Sequence, residues 1–184
     1  MQEEALTVGS VGYVVEYDLE PGTKRLSSLK HGIGVASVEL AFDYFDTGQV
    51  GFLQSVEASG QSGQPGRRFD YNYLPDSSYV DTVTSGNFTH DRGYETHRNF
   101  VNRTDNLWNG ASHGNVTYTR NELGRISSLE RRSGMYSLYD GDGIRQVFAY
   151  TGRGELESAT TFMVATPESA LPGRTLALQY DWQG

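Results

Sequence analysis

One short pattern recurs along this 184-residue chain, and it restricts the possible folds more than any other feature. Each copy has an aromatic or apolar residue, a spacer, a second aromatic that is usually Tyr, and often an Asp. A Gly with polar neighbours follows, and then apolar residues three positions apart. Five copies are clear. The first runs through Val15, Tyr17 and Asp18 to Gly22, Leu26 and Leu29, and the second through Phe42, Asp43 and Tyr44 to Gly48, Val50 and Leu53. Tyr118 and Arg120 lead to Gly124, Ile126 and Leu129, and Phe148 and Tyr150 lead to Gly154 and Leu156. Leu178, Tyr180 and Asp181 open a last copy that is truncated at Gly184. Weaker copies pass through Phe69 and Tyr71 to Val80 and Val83, and through the stretch from His97 to Gly110. Tyr17, Tyr44 and Tyr71 follow one another at 27 residues, and Arg120, Tyr150 and Tyr180 at 30. This spacing is read as a single array of about seven repeats over residues 1–184, with no separate catalytic domain.

The first half of each unit alternates with period two, as in Val38, Leu40, Phe42 and Tyr44 against Glu39, Ala41 and Asp43. That pattern predicts a strand with one buried and one wet face. The Gly that follows tolerates positive φ, and nearby Asn or Asp can bond their own backbone, so the chain is predicted to reverse there and resume as a second strand. The fold class expected is all-β, with tandem β-hairpin repeats forming a curved, extended antiparallel sheet. Its expected repeat core is Tyr17, Phe42, Tyr44, Phe69, Tyr71, Tyr118, Gly124, Ile126, Phe148, Tyr150, Gly154, Leu156 and Tyr180. Aromatics of successive units are expected to stack as a cross-strand ladder, because one hairpin cannot bury its apolar face alone. The Gly- and Pro-rich stretches 58–66 and 165–173 read as exposed loops joining units.

Composition agrees with strands and turns: apolar residues are 36%, with 22 Gly and 12 Tyr. A formal charge of -8 repels phosphate backbones and anionic lipid, so neither nucleic acid nor membrane insertion is expected. Cysteine is absent, which excludes disulfides, thiolate metal sites and a cysteine nucleophile. Residues 1–5 lack the basic start and apolar run of a secretory signal.

These units resemble the YD-repeat or Rhs family, whose unit runs aromatic, spacer, Tyr, Asp, two residues, Gly, Arg, Leu and an apolar residue. Asn121-Glu122-Leu123-Gly124-Arg125-Ile126 and Tyr180-Asp181-Trp182-Gln183-Gly184 are the most specific pieces, and the resemblance covers nearly the whole chain. It implies a β-sheet strip coiled into a spiral, hollow shell of the kind found in bacterial polymorphic toxins, insecticidal toxin complexes and teneurins. It further implies a secreted or cell-envelope location. The implied partners lie in the remainder of the same polypeptide: adjacent repeats, a core segment and a C-terminal toxin domain.

No catalytic, cofactor-binding or metal-binding residues are assigned, and no enzyme is expected. The G-x-S-x-G elbow, the Walker A loop and G-x-G-x-x-G are all missing from the sequence. Asp140-Gly141-Asp142-Gly143 lacks the later ligands of a calcium loop and reads as a turn. His31, His90, His97 and His113 share no metal-ligand spacing and read as loop residues. Asn87, Asn102 and Asn115 head glycosylation triplets that stay silent in a bacterial protein. The alternative function is a carbohydrate- or cell-surface-binding module in which exposed Trp108 or Trp182 stacks on a cell-surface glycan.

Overall fold

The computed structural model describes residues 2–8, 11–33, 36–59, 66–134 and 143–180. They fall into two compact units, Met1–Gly86 and Asn87–Gly184. The first holds β1 (Gln2–Val8), β2 (Val11–Leu19), β3 (Leu26–Ile33), β4 (Ala36–Tyr44), β5 (Leu53–Ala58), β6 (Arg67–Tyr73) and β7 (Val80–Ser85). The second holds β8 (Phe88–Glu95), β9 (Arg98–Trp108), β10 (Ala111–Arg120), β11 (Ile126–Arg132), β12 (Gly143–Tyr150), β13 (Leu156–Met163) and β14 (Thr166–Ala177). Within each unit every strand pairs antiparallel with the next in sequence. No α-helix occurs among the described residues. The protein is all-β, built of consecutive hairpins, as the alternation and glycine turns require.

Turn chemistry fixes the hairpins locally. Asn109 and Gly110 link β9 to β10 with φ of 52° and 77°, the paired left-handed conformation whose twist matches that of the strands it joins. The β10–β11 and β12–β13 turns are copies of one design. Asn121 N donates to Arg125 O and Gly124 N to Asn121 O, while Thr151 N donates to Glu155 O and Gly154 N to Thr151 O, all at 2.9 Å. Gly124 and Gly154 stand at φ 80° and 92°. Different side chains brace the two: Asn121 Oδ1 accepts from Arg125 N at 3.0 Å, and Thr151 Oγ1 from Glu155 N at 3.2 Å.

A bulge precedes these turns at the same place in each unit. The register slips between Asp18 and Leu19, Asp43 and Tyr44, Asn72 and Tyr73, Thr119 and Arg120, and Ala149 and Tyr150. The repeating element is therefore an inward residue (Tyr17, Phe42, Tyr71, Tyr118, Phe148), a residue facing the other side that is polar in four of the five (Asp18, Asp43, Asn72 and Thr119, with Ala149 in the last), and a second inward residue at the strand end (Leu19, Tyr44, Tyr73, Arg120, Tyr150). This moves the sequence alignment by two residues in the first and third units. Tyr17 and Tyr71 match Phe42 rather than Tyr44, because spacing alone does not reveal the differing turn lengths.

The expected buried face is corrected by the structure. Among the described residues no hydrophobic side chain is fully buried, and the inward residues Phe42, Tyr44, Tyr118, Phe148 and Tyr150 are half-covered while Ala41, Asp43, Thr119 and Ala149 are exposed. Within each unit the described strands form one sheet, and among the described residues no second layer closes over that face, so apolar burial alone gives limited stability.

Two loop assignments also change. His31, His90 and His113 lie in β3, β8 and β10, and His97 alone sits in a turn. Residues 166–173 are the first part of β14 and not a connecting loop. Thr160 pairs with Thr175 and Phe162 with Ala170, so the intervening 171–174 swing out as a large bulge. Pro172 and a Gly173 at φ 68° are tolerated there because they fall in the bulge, outside the paired positions of the ladder. The Asp140–Asp142 stretch lies outside the described residues.

Candidate functional site

With little apolar burial available, the backbone ladders that join successive hairpins are supplemented by side-chain contacts, and a repeated one is found at the turn edge. The phenol of Tyr44 donates to the carbonyl of Leu26, the first residue of the strand after the preceding Gly turn, at 2.8 Å. Tyr73 donates to Leu53 O at 2.8 Å, Tyr150 to Ile126 O at 2.8 Å and Tyr180 to Leu156 O at 2.9 Å. Four hairpins are thus latched to the one before them by a hydroxyl on a backbone acceptor. In three of these four latches the residue preceding the acceptor packs against the latching side chain. Arg25 lies 4.4 Å over the Tyr44 ring and Arg125 5.6 Å over Tyr150, as cation–π pairs, while Phe52 tilts against Tyr73 at 5.2 Å.

One unit performs the same act with different chemistry. Arg120 holds the latch position 30 residues before Tyr150, and its Nη1 donates to Val101 O at 2.7 Å. Its guanidinium lies 5.0 Å from the ring of Phe100, the residue before that acceptor. Cation and ring have exchanged strands. Glu95 completes the site, 3.4 Å from Arg120 and 2.6 Å from Arg98.

The polar residue between the two inward ones meets the strand opposite. Asp43 accepts from Ser55 Oγ at 2.9 Å, and Ser55 has no exposed surface. Asp18 faces Ser28 at 3.5 Å, and Asn72 donates to Thr82 Oγ1 at 3.1 Å. An aspartate in this position therefore fastens the two strands of one hairpin on one face of the sheet, while the tyrosine beside it fastens that hairpin to the preceding one on the other face.

The structure brings the expected core residues together by a route other than stacking. Phe42, Val56 and Phe69 form one row across β4, β5 and β6, so an aliphatic strand separates successive aromatics. Tyr71 lies opposite Val83, Tyr17 and Tyr118 each oppose a leucine, Leu29 and Leu129, and Phe148 opposes Ala159. Among the described residues the ring pairs are Phe45–Tyr73 and Phe52–Tyr73, grouped around one latch. Sequence reading did not find Tyr73, Phe52, Arg25 or the acceptor role of Leu26. Arg120 was marked by its spacing alone. Trp108 ends β9 opposite Phe88 with 52% of its surface exposed, and Trp182 lies outside the described residues. No cluster of His, Asp and Glu able to hold a metal is found among the described residues.

Burial, and then the Glu20 carboxylate, push the Tyr44 phenol above its ordinary value of 10.0; burial, and then Tyr71, do the same for Tyr73. A raised phenol favours the folded state below the unfolded value, and that contribution is lost as pH rises through the folded one. Tyr44→Phe and Tyr73→Phe should each cost about 1 kcal/mol near neutral pH in urea unfolding, the net worth of one hydrogen bond. The wild type should lose stability above pH 10, and the double Phe variant less steeply. Identical alkaline limbs would remove the latches as a source of stability.

No protein-family model matches the chain, and no curated protein does. Among solved structures the chain is similar to one in the TcdB2-TccC3-Cdc42 crystal structure, with a TM-score of 0.67 and 14% identity over 83% of this chain. The chain spans 7% of that protein's length. A porin-like protein from Bacteroides uniformis superposes with a TM-score of 0.37 and 11% identity over 88% of each chain, too low a similarity to argue from. The fold shared with the toxin-complex structure is that of tandem antiparallel β-hairpins.

Proposed function

We propose that this chain is a structural wall segment of an Rhs/YD-type shell in a secreted or envelope-associated protein, and that it contributes no reaction of its own. Its partners are the adjacent repeats, core and C-terminal toxin of the same polypeptide, which the shell encloses. The observation that carries this reading is the latch, made at the strand end of five hairpins: Tyr44, Tyr73, Arg120, Tyr150 and Tyr180 each tie a unit to its predecessor's backbone. A contact that depends only on a turn and a carbonyl can be added indefinitely, which is what a continuous strip requires. Electron cryomicroscopy of the full-length gene product should resolve a strip of hairpins surrounding an enclosed volume. An open array with nothing inside would overturn the enclosing role.

The half-exposed Trp108 supports a second reading, a glycan-binding surface, since an indole face stacks on sugars. Saturable binding on a glycan array that disappears with Trp108→Ala would favour that reading over a purely structural one.

A further inference from the structure

We propose that a pocket on the inner face of β11–β14 binds a carboxylate carrying a short apolar chain. The cavity is about 540 Å³. Its floor comes from facing positions on β12 and β13, where Ile144 is opposite Met163 and Gln146 opposite Thr161. By strand alternation these share the face of Phe148 and Tyr150. The outward swing of 171–174 in β14 supplies the remaining wall, Leu171 and Arg174. That bulge is what turns an open sheet face into a concavity.

The lining is divided in a way that names the ligand. Ile144, Met163 and Leu171 offer an apolar surface, while Arg131 and Arg174 place two guanidinium groups on the same cavity. No carboxylate among the described residues lines it. Arg131 lies between Val116 and Ile144 in the strand ladder, and its neighbour Glu130 is already held by Arg132 at 2.5 Å. Two like charges, neither paired with a carboxylate among the described residues, beside the apolar side chains of Ile144, Met163 and Leu171, in a chain of net charge -8, favour an incoming anion. A guanidinium fork matches a carboxylate's two oxygens, and the floor takes the attached chain. The ligand class is therefore an apolar carboxylate, supplied either by a free acyl acid or by the C-terminus of an apolar peptide.

Calorimetric titration of the full chain tests this with sodium octanoate, octan-1-ol, inorganic phosphate, N-acetyl-leucyl-leucine and the amide of that dipeptide. Octanoate or the free-acid dipeptide should bind saturably with one site, and the alcohol or amide at least about tenfold more weakly, the worth of one charge-assisted contact. Binding by octanoate alone identifies the acyl source, and binding by the dipeptide alone a peptide terminus. The Arg131→Gln/Arg174→Gln variant should lose about tenfold or more in affinity with an unchanged unfolding midpoint. Should that variant unfold, Arg174→Gln alone, at an exposed position, must still weaken binding. The proposal is overturned if neither carboxylate binds by about 10 mM, a weaker affinity than a built site gives. It is equally overturned if phosphate binds as well as octanoate, or if the folded variants keep full affinity.

Discussion

Gly143→Ala is expected to cost about 3 kcal/mol, the upper range for forcing an added carbon into occupied space. Gly143 opens β12 opposite Arg132. A Cβ placed there would sit 2.1 Å from Arg131 O, 3.0 Å from Arg131 C and 3.1 Å from Arg132 Cα. All three are backbone atoms, so no rotamer change relieves the clash, and β12 must shift away or slip its pairing. The control is Gly152→Ala in the β12–β13 turn, where an added Cβ meets nothing within 4 Å, and whose effect should stay within about 0.5 kcal/mol. In a linear array the damage should be local, so hydrogen exchange should accelerate first at Ser128–Arg132 and Ile144–Val147 and later elsewhere. Equal midpoints for the two variants would show that β11 and β12 are held apart from the arrangement described.

Strands and reversals were legible in the sequence because both are local. Period two in Val38–Tyr44 and a Gly with polar neighbours at 124 and 154 each state a backbone conformation within a few residues. The latch was not legible, because its acceptor is a carbonyl, which every residue carries. Nothing in Leu26 or Ile126 marks that oxygen as the partner of a tyrosine 18 or 24 residues later. Registers erred where the turns differ in length, so that Tyr17 and Tyr71 seemed to match Tyr44. The buried face was overread for a simpler reason: alternation shows that one side of a strand is apolar and does not show whether a second layer covers it. Of the candidate pocket, the sequence held only scattered parts, since Arg131 and Arg174 meet through a bulge whose Pro172 and Gly173 signalled a loop. Trp108 was recognisable as a surface aromatic, and its 52% exposure agrees.

Arg120 tests whether the latch is a position or a residue. Its side chain is 12% exposed and Glu95's 17%, so the pair is screened less than a surface ion pair. Arg120→Ala leaves the Val101 carbonyl without its donor and removes cation–π contacts to Phe100 and Tyr118, at 5.0 and 5.7 Å. A cost of about 3 kcal/mol is expected from those losses together. Glu95 is not stranded, because Arg98 holds it at 2.6 Å and itself reaches Asn121 O at 3.2 Å. That permits an informative exchange. Arg120→Tyr installs the side chain found at 44, 73, 150 and 180, whose hydroxyl reaches the equivalent carbonyl at 2.8 to 2.9 Å in every case. The tyrosine ring would lie on Phe100 as Tyr73 lies on Phe52. This variant should stay within about 1 kcal/mol of the wild type, the margin of one exchanged hydrogen bond. Arg120→Lys keeps the charge but loses the planar fork, and should fall between the two. Urea unfolding should therefore rank the wild type and Tyr above Lys, and Lys above Ala. If Tyr proved as damaging as Ala, the guanidinium and its ion pair would be what this hairpin needs, and the shared geometry of the five latches would be coincidence.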